Sequence, residues 1–137
     1  MKIYTTKSAQ ETRDLGKTLA KDFIGGETVL LSGDLGAGKT VLSKGIADAL
    51  GITDEVTSPT FALHNSYDGK LTLNHFDFYR ISDEEEARIL GLDEYFGQTN
   101  SVSVIEWWSN IKSLLPKKCI IINILRINDN EREIEVI

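Results

Sequence analysis

Apolar positions along the chain fall into two rhythms. Leu15, Leu19 and Phe23 recur every four residues, which places them on one face of an amphipathic helix that begins at Thr12 and ends near Gly25-Gly26. The run Thr28-Val29-Leu30-Leu31-Ser32 is apolar without interruption at its centre, the pattern of a strand buried on both faces. A glycine-rich turn follows at once, and Thr40 to Leu50 returns to helical spacing before Gly51 closes it.

Phe61 to Asp77 holds two extended stretches around Asp68-Gly69, a dipeptide suited to the positive backbone angles of a tight hairpin turn. Ser82 with Glu85 three residues later reads as a capping box, Glu84 and Glu86 suit a helix N-terminus, and Gly91 closes a short, mostly exposed helix. Ser101 to Glu106 is a strand that ends in a carboxylate. Cys119 to Ile127, rich in isoleucine, predicts a long buried strand with Cys119 in the core, and Glu133 to Ile137 alternates as a partner strand returned through Asn128-Asp129-Asn130. Strands alternate with helices over the first two-thirds. The expected fold is therefore α/β, a three-layer sandwich with a mainly parallel central sheet and antiparallel edge strands.

Composition narrows the class. The 137 residues, 41% apolar and 26% charged, suit one domain spanning 1–137 with a single well-packed core. Cys119 is the only cysteine, so no internal disulfide forms, and no signal-peptide core is visible in Met1 to Thr12. No apolar run approaches the roughly 20 residues of a membrane-spanning helix. A cytoplasmic protein without membrane contact is expected. A net charge of −6 disfavours direct capture of a nucleic-acid backbone, since Lys117-Lys118 is the only basic doublet and forms no patch.

Gly33-x-x-x-x-Gly38-Lys39-Thr40 matches a phosphate-binding loop at every defined position, between a predicted strand and a predicted helix. Gly33, Gly36 and Gly38 let the backbone turn so that amides and the helix N-terminus face phosphate oxygens. Lys39 adds a point charge, and the Thr40 hydroxyl is placed to bind Mg²⁺. The strand–loop–helix unit makes the expected sandwich one of the P-loop NTPase type.

Such a loop needs an acid at the end of a neighbouring strand. Asp77 and Glu106 both qualify. Glu106 has the cleaner apolar lead-in, Val102 to Ile105, whereas Asn74 and His75 interrupt the run before Asp77. His75 reads first as a hydrogen-bonded structural residue and second as a catalytic one. Trp107 and Trp108 could stack on a base, but packing is the commoner role beside a strand end.

Several blocks in order resemble the TsaE (YjeE) family, the small ATPases of bacterial threonylcarbamoyladenosine tRNA modification. They are the loop Gly33 to Thr40, Lys44-Gly45-Ile46, Val56-Thr57-Ser58-Pro59-Thr60-Phe61, His75-Phe76-Asp77-Phe78-Tyr79-Arg80 and Ile105-Glu106-Trp107. With Leu15-Gly16 and Gly91-Leu92 the resemblance covers nearly the whole chain. It implies ATP and Mg²⁺ as cofactors, with Gly33, Leu35, Gly36, Ala37, Gly38, Lys39 and Thr40 around the phosphates. It also implies Thr40, Glu106 and Asp77 at the metal, catalytic roles for Lys39, Asp77, Thr60 and Glu106, and Arg132 near the adenine. The implied partners are TsaD and TsaB, with tRNA reached only through them. Two positions depart from the family pattern: Trp108 stands where proline is usual, and Lys44 where arginine is common. A small-molecule kinase or a regulatory nucleotide switch is the competing reading. The first would need an arginine-bearing lid and the second a guanine-reading Asn-Lys-x-Asp segment, and neither is visible.

Overall fold

A computed structural model describes all 137 residues. In chain order the elements are β1 (Lys2–Thr6), α1 (Ala9–Ala20), β2 (Thr28–Ser32), α2 (Lys39–Ala49), β3 (His64–Tyr67), β4 (Thr72–Asp77), α3 (Glu84–Ile89), β5 (Ser101–Glu106), β6 (Ile120–Arg126) and β7 (Arg132–Val136). Two 3-10 stretches, Leu92–Tyr95 and Trp108–Leu114, flank β5.

The strands form one seven-stranded sheet in the order β1-β7-β6-β2-β5-β4-β3. Its centre, β6-β2-β5-β4, is parallel throughout. Antiparallel pairing appears only at the margins, where β3 joins β4 and the β7–β1 pair joins β6. The expected α/β architecture with a mainly parallel centre and antiparallel edges is present.

Strand alternation sends side chains to two separate cores. Val29, Leu31, Val102 and Val104 pack with Leu42 and Ile46 of α2 on one face, while Leu30, Phe76 and Ile105 pack with Ala87 of α3 and Ile111 on the other. Helical layers therefore cover both faces, which is why β2, at the centre, reads as an unbroken apolar run.

Helices α1 and α2 meet backbone to backbone. A Cβ on Gly45 would stand 1.9 Å from the Arg13 carbonyl oxygen, and one on Gly16 would stand 2.4 Å from that of Leu42. The Arg13 guanidinium then spans to Asp48 with Nε–Oδ2 at 2.7 Å and Nη2–Oδ1 at 2.8 Å. This hydrogen-bonded contact holds the Asp48 carboxyl below its ordinary pKa and raises that of Arg13.

Several expected boundaries move. The first helix starts at Ala9, capped by the Ser8 hydroxyl on the Glu11 amide, and stops at Ala20 rather than near Gly25-Gly26. The Glu27 carboxylate accepts from the amides of Ile24 and Gly25, which holds that segment as a loop. Its fully buried stripe is Thr12, Gly16 and Ala20, with Leu15, Leu19 and Phe23 packed half-buried beside it. The Asp68-Gly69 hairpin exists, but Gly69 is absent from the positive-φ glycines. A Cβ there would lie 2.4 Å from the Leu50 carbonyl oxygen, so close approach, not turn geometry, selects glycine. Asp83, not Ser82, caps α3, its Oδ1 accepting from the Glu85 amide. In strand β6 only Ile122 and Ile124 are buried, Leu125 and Arg126 are exposed and the rest is half-buried; Cys119 lies just before it at intermediate exposure, its thiol pKa pushed up by partial burial. Strand β1 is not foreseen by the spacing, because Lys2 to Thr6 is mostly exposed and contributes little apolar signal.

Candidate functional site

The loop after β2 and the ends of β4 and β5 meet at one edge of the sheet. Strand β2 runs into Gly33, and Asp77 and Glu106 end their parallel strands as direct register partners. That is the carboxyl edge of the parallel strands, where β2 has β5 on one side and β6 on the other. Crevices at such an edge are where open α/β sheets bind ligands.

Glycine is required in the loop at three places for two reasons. Gly36 at φ 79° and Gly38 at φ 109° adopt angles that strain other residues. Gly33 instead lies against β6, where a Cβ would stand 2.8 Å from the Ile124 carbonyl oxygen. Nothing lies within 4 Å of a Cβ position on Gly36, so the loop is open toward the cleft there.

Lys39 opens α2 and is only 7% exposed. Its Nζ sits 3.7 Å from Glu106 Oε1 and 4.7 Å from the ring centroid of Trp107. Trp107 reaches that position from a left-handed backbone, φ 55°, a conformation that costs a bulky residue about 1–3 kcal/mol. Tyr79 packs against the same indole at 4.8 Å between ring centroids. Trp108 donates its indole N–H to the Ser32 hydroxyl at 2.9 Å, so it is anchored on the end of β2.

Both carboxylates are 3% exposed and held by named partners. Asp77 Oδ2 accepts from the Thr60 hydroxyl at 2.8 Å, and Oδ1 accepts from the Tyr79 amide at 2.9 Å. The Ser58 and Thr60 hydroxyls are 2.9 Å apart, so the Ser58-Pro59-Thr60 segment is tethered to the end of β4. Glu106 Oε2 lies 2.6 Å from His75 Nε2.

Arg132 arrives from β7. Its Nε donates to the Ala37 carbonyl at 2.8 Å and its Nη1 to the Asn128 carbonyl at 2.6 Å, so the guanidinium braces the glycine loop against the β6–β7 turn. These contacts make it a support of the loop as well as a wall of the cleft.

A cleft of about 340 Å³ takes in Leu35, Gly36, Gly38, Lys39 and Thr40 from the loop with Thr60, Asp77, Glu106 and Arg132 around it. Gly33 and Ala37 shape the loop without lining that cleft. Ser58, Val41 and Trp107 join the lining without having been singled out as site residues. A larger hollow of about 710 Å³, walled by Lys7 and the β6–β7 turn, gathers none of the predicted site residues except by adjacency to Arg132. His75 is the member whose place the spacing signals least directly. It precedes Asp77 by two residues and so shares its face of β4, and that alternation is the signal that could have placed it beside the carboxylates.

The donor set suits a metal held chiefly by its ligand. No three His, Cys, Asp or Glu side chains converge as an all-protein cage. Two carboxylates and a Thr40 hydroxyl lining one cleft fit Mg²⁺, which keeps several waters and takes few protein ligands when phosphates supply the rest.

A sequence model described as "Threonylcarbamoyl adenosine biosynthesis protein TsaE" matches residues 6–134. The chain belongs to the TsaE family. It is 47% identical over 133 residues to the tRNA threonylcarbamoyladenosine biosynthesis protein TsaE of Bacillus subtilis, covering 96% of this chain and 82% of that one. TsaE of Treponema pallidum is 41% identical over 131 residues, with 96% of both chains covered. The crystal structure of Bacillus subtilis YdiB superposes with a TM-score of 0.82 at 40% identity, covering 97% of this chain and 82% of that chain. The TsaE match thus runs from the last residue of β1 into β7 and includes every residue that lines the cleft. No helix in the fold is long and apolar enough to cross a membrane.

Proposed function

We propose that this TsaE-family chain is a cytoplasmic P-loop ATPase that binds Mg-ATP in the Lys39 cleft and works with TsaD and TsaB proteins in forming threonylcarbamoyladenosine in tRNA. The observation that carries the reading is the convergence of Lys39, Thr40, Asp77 and Glu106 on one cleft at the carboxyl edge of the sheet. The tRNA pathway is taken from the names of its relatives, and the partners from the family resemblance.

When bound, Mg²⁺ would be held on the side of Thr40, Asp77 and Glu106 and would neutralise phosphate charge. The chain's own residues do the rest. Lys39, held by Glu106 and Trp107, is a preplaced cation that phosphate oxygens can draw away from Glu106. The freed Glu106 Oε1, with Thr40 and Asp77, then faces the metal side of the cleft. Thr60 hydrogen-bonds Asp77 and so sets the Ser58-Pro59-Thr60 segment as a wall that contact with a partner can press over the γ-phosphate.

Arginine placement speaks against a kinase lid. Only Arg132 lines the cleft. Arg13, Arg88 and Arg126 pair with Asp48, Glu85 and Asp129, and Arg80 stacks on Phe61.

The test compares ATP hydrolysis and multiple-turnover tRNA modification with and without TsaD and TsaB. Slow turnover by the chain alone, stimulated by the partners and needed for repeated cycles, is the expected outcome. Equal cycling without this chain, or tight tRNA binding by it alone at physiological salt, would contradict the role.

A further inference from the structure

His75 is the one chemically capable side chain at the site to which the proposed ATPase reading gives no task. It is 0% exposed, and its Nε2 lies 2.6 Å from Glu106 Oε2. A carboxylate oxygen only accepts, so Nε2 carries the proton and donates. Nδ1 is buried with no partner at all. The ring therefore makes a single polar contact, and that contact is to Glu106.

The position follows from the sheet. β4 and β5 run parallel with Asp77 opposite Glu106 and His75 opposite Val104. His75 thus lies one full pleat below the two carboxylates on the same face, under α2 and closed off from solvent. From there it can reach only the inner oxygen of Glu106, which leaves Oε1 turned outward to Lys39 at 3.7 Å.

A glutamate has three side-chain torsions, and a carboxylate contacted by Lys39 alone would rotate when phosphates draw the lysine away. The hydrogen bond from His75 removes that freedom. We propose that His75 is a positioning residue that clamps the inner oxygen of Glu106, so that the outer oxygen stays aimed at the metal side of the cleft both before and after Lys39 turns to the nucleotide. The inference rests on the Mg-ATP reading and adds to it the element that orients the acid. Outer-shell partners of this kind typically change metal affinity ten- to a hundredfold when removed.

The experiment compares the wild-type chain with His75→Leu and His75→Gln. Leucine fills much of the ring's space without a donor, whereas the glutamine amide can present an N–H near the Nε2 position. Three quantities are measured: ATP affinity without metal by calorimetry, Mn²⁺ affinity of the ATP complex by electron paramagnetic resonance, and melting temperature. The clamp predicts that His75→Leu weakens Mn²⁺ binding about ten- to a hundredfold while metal-free ATP affinity holds, and that His75→Gln recovers most of the loss. Wild-type Mn²⁺ affinity in His75→Leu would overturn the proposal. So would equal impairment of both variants in metal-free ATP affinity and melting temperature, which would mark His75 as a packing residue. If the wild-type chain binds no ATP, the ATPase reading fails and takes the clamp with it, an outcome distinct from either of those.

Discussion

The Nε of Arg132, the first residue of β7, donates a 2.8 Å hydrogen bond to the carbonyl of Ala37 in the glycine loop, 95 positions away in sequence. This bond joins the C-terminal hairpin to the segment proposed to hold its shape around phosphates. Removing it leaves the loop conformation to its glycines, each of which permits many others. Arg132→Ala is expected to weaken ATP binding about five- to thirtyfold, the equivalent of a hydrogen bond worth about 1–2 kcal/mol. Arg132→Lys should rescue little, because an ammonium cannot reproduce the planar fork that also reaches the Asn128 carbonyl. Calorimetric titration checks both, and unchanged affinity in Arg132→Ala would remove the bracing role.

Gly45 tests the helix pairing that seats the other side of the loop. An alanine Cβ 1.9 Å from the Arg13 carbonyl oxygen cannot be accommodated unless α1 and α2 separate. Because backbone must move rather than a flexible side-chain end, Gly45→Ala should destabilise the fold by about 1–3 kcal/mol or more. Urea unfolding measures this directly. A neutral substitution would mean that the helices do not pack this closely.

The fold's parallel centre and its glycine loop were legible in sequence because continuous apolar runs and a fixed-spacing motif are local signals. Thr28 to Ser32 and Ser101 to Glu106 were bounded as they stand, and the turn between β6 and β7 fell at Asn128 to Asn130. Strand β1 was not legible, since an exposed edge strand such as Lys2–Thr6 carries no buried alternation. The helix boundary was misplaced for a related reason. Phe23 continues the apolar spacing, but the Glu27 carboxylate claims the amides of Ile24 and Gly25, and that competition lies outside any periodicity. At the site, Asp77 and Glu106 were found by position at strand ends. Their partners His75 and Thr60 depend on side-chain directions across strands, and for Thr60 only the family resemblance pointed the way.

Asp48 supplies a pH test apart from the cleft. Its hydrogen bond from Arg13 lowers its folded pKa, so the stabilisation is present above the unfolded carboxyl value of about 4 and is lost as pH falls through the lower folded value. Asp48→Asn should therefore be less stable than wild type near neutral pH, with the difference shrinking on acidification below about pH 4. Melting temperatures of the two proteins across that range are the check. A difference that grew toward low pH would have the wrong sign.

The central claim is that Lys39 and the glycine loop hold ATP, with Glu106 and Asp77 acting through magnesium. Calorimetric titration of ATP with and without Mg²⁺ tests it most directly, on the wild-type chain, Lys39→Ala and Glu106→Gln, with circular dichroism to establish that each variant is folded. The account predicts that Lys39→Ala loses most affinity under both conditions, while Glu106→Gln keeps the metal-free affinity and loses only the gain from Mg²⁺. Wild-type affinity in Lys39→Ala, or an equal loss in Glu106→Gln with and without the metal, would contradict it.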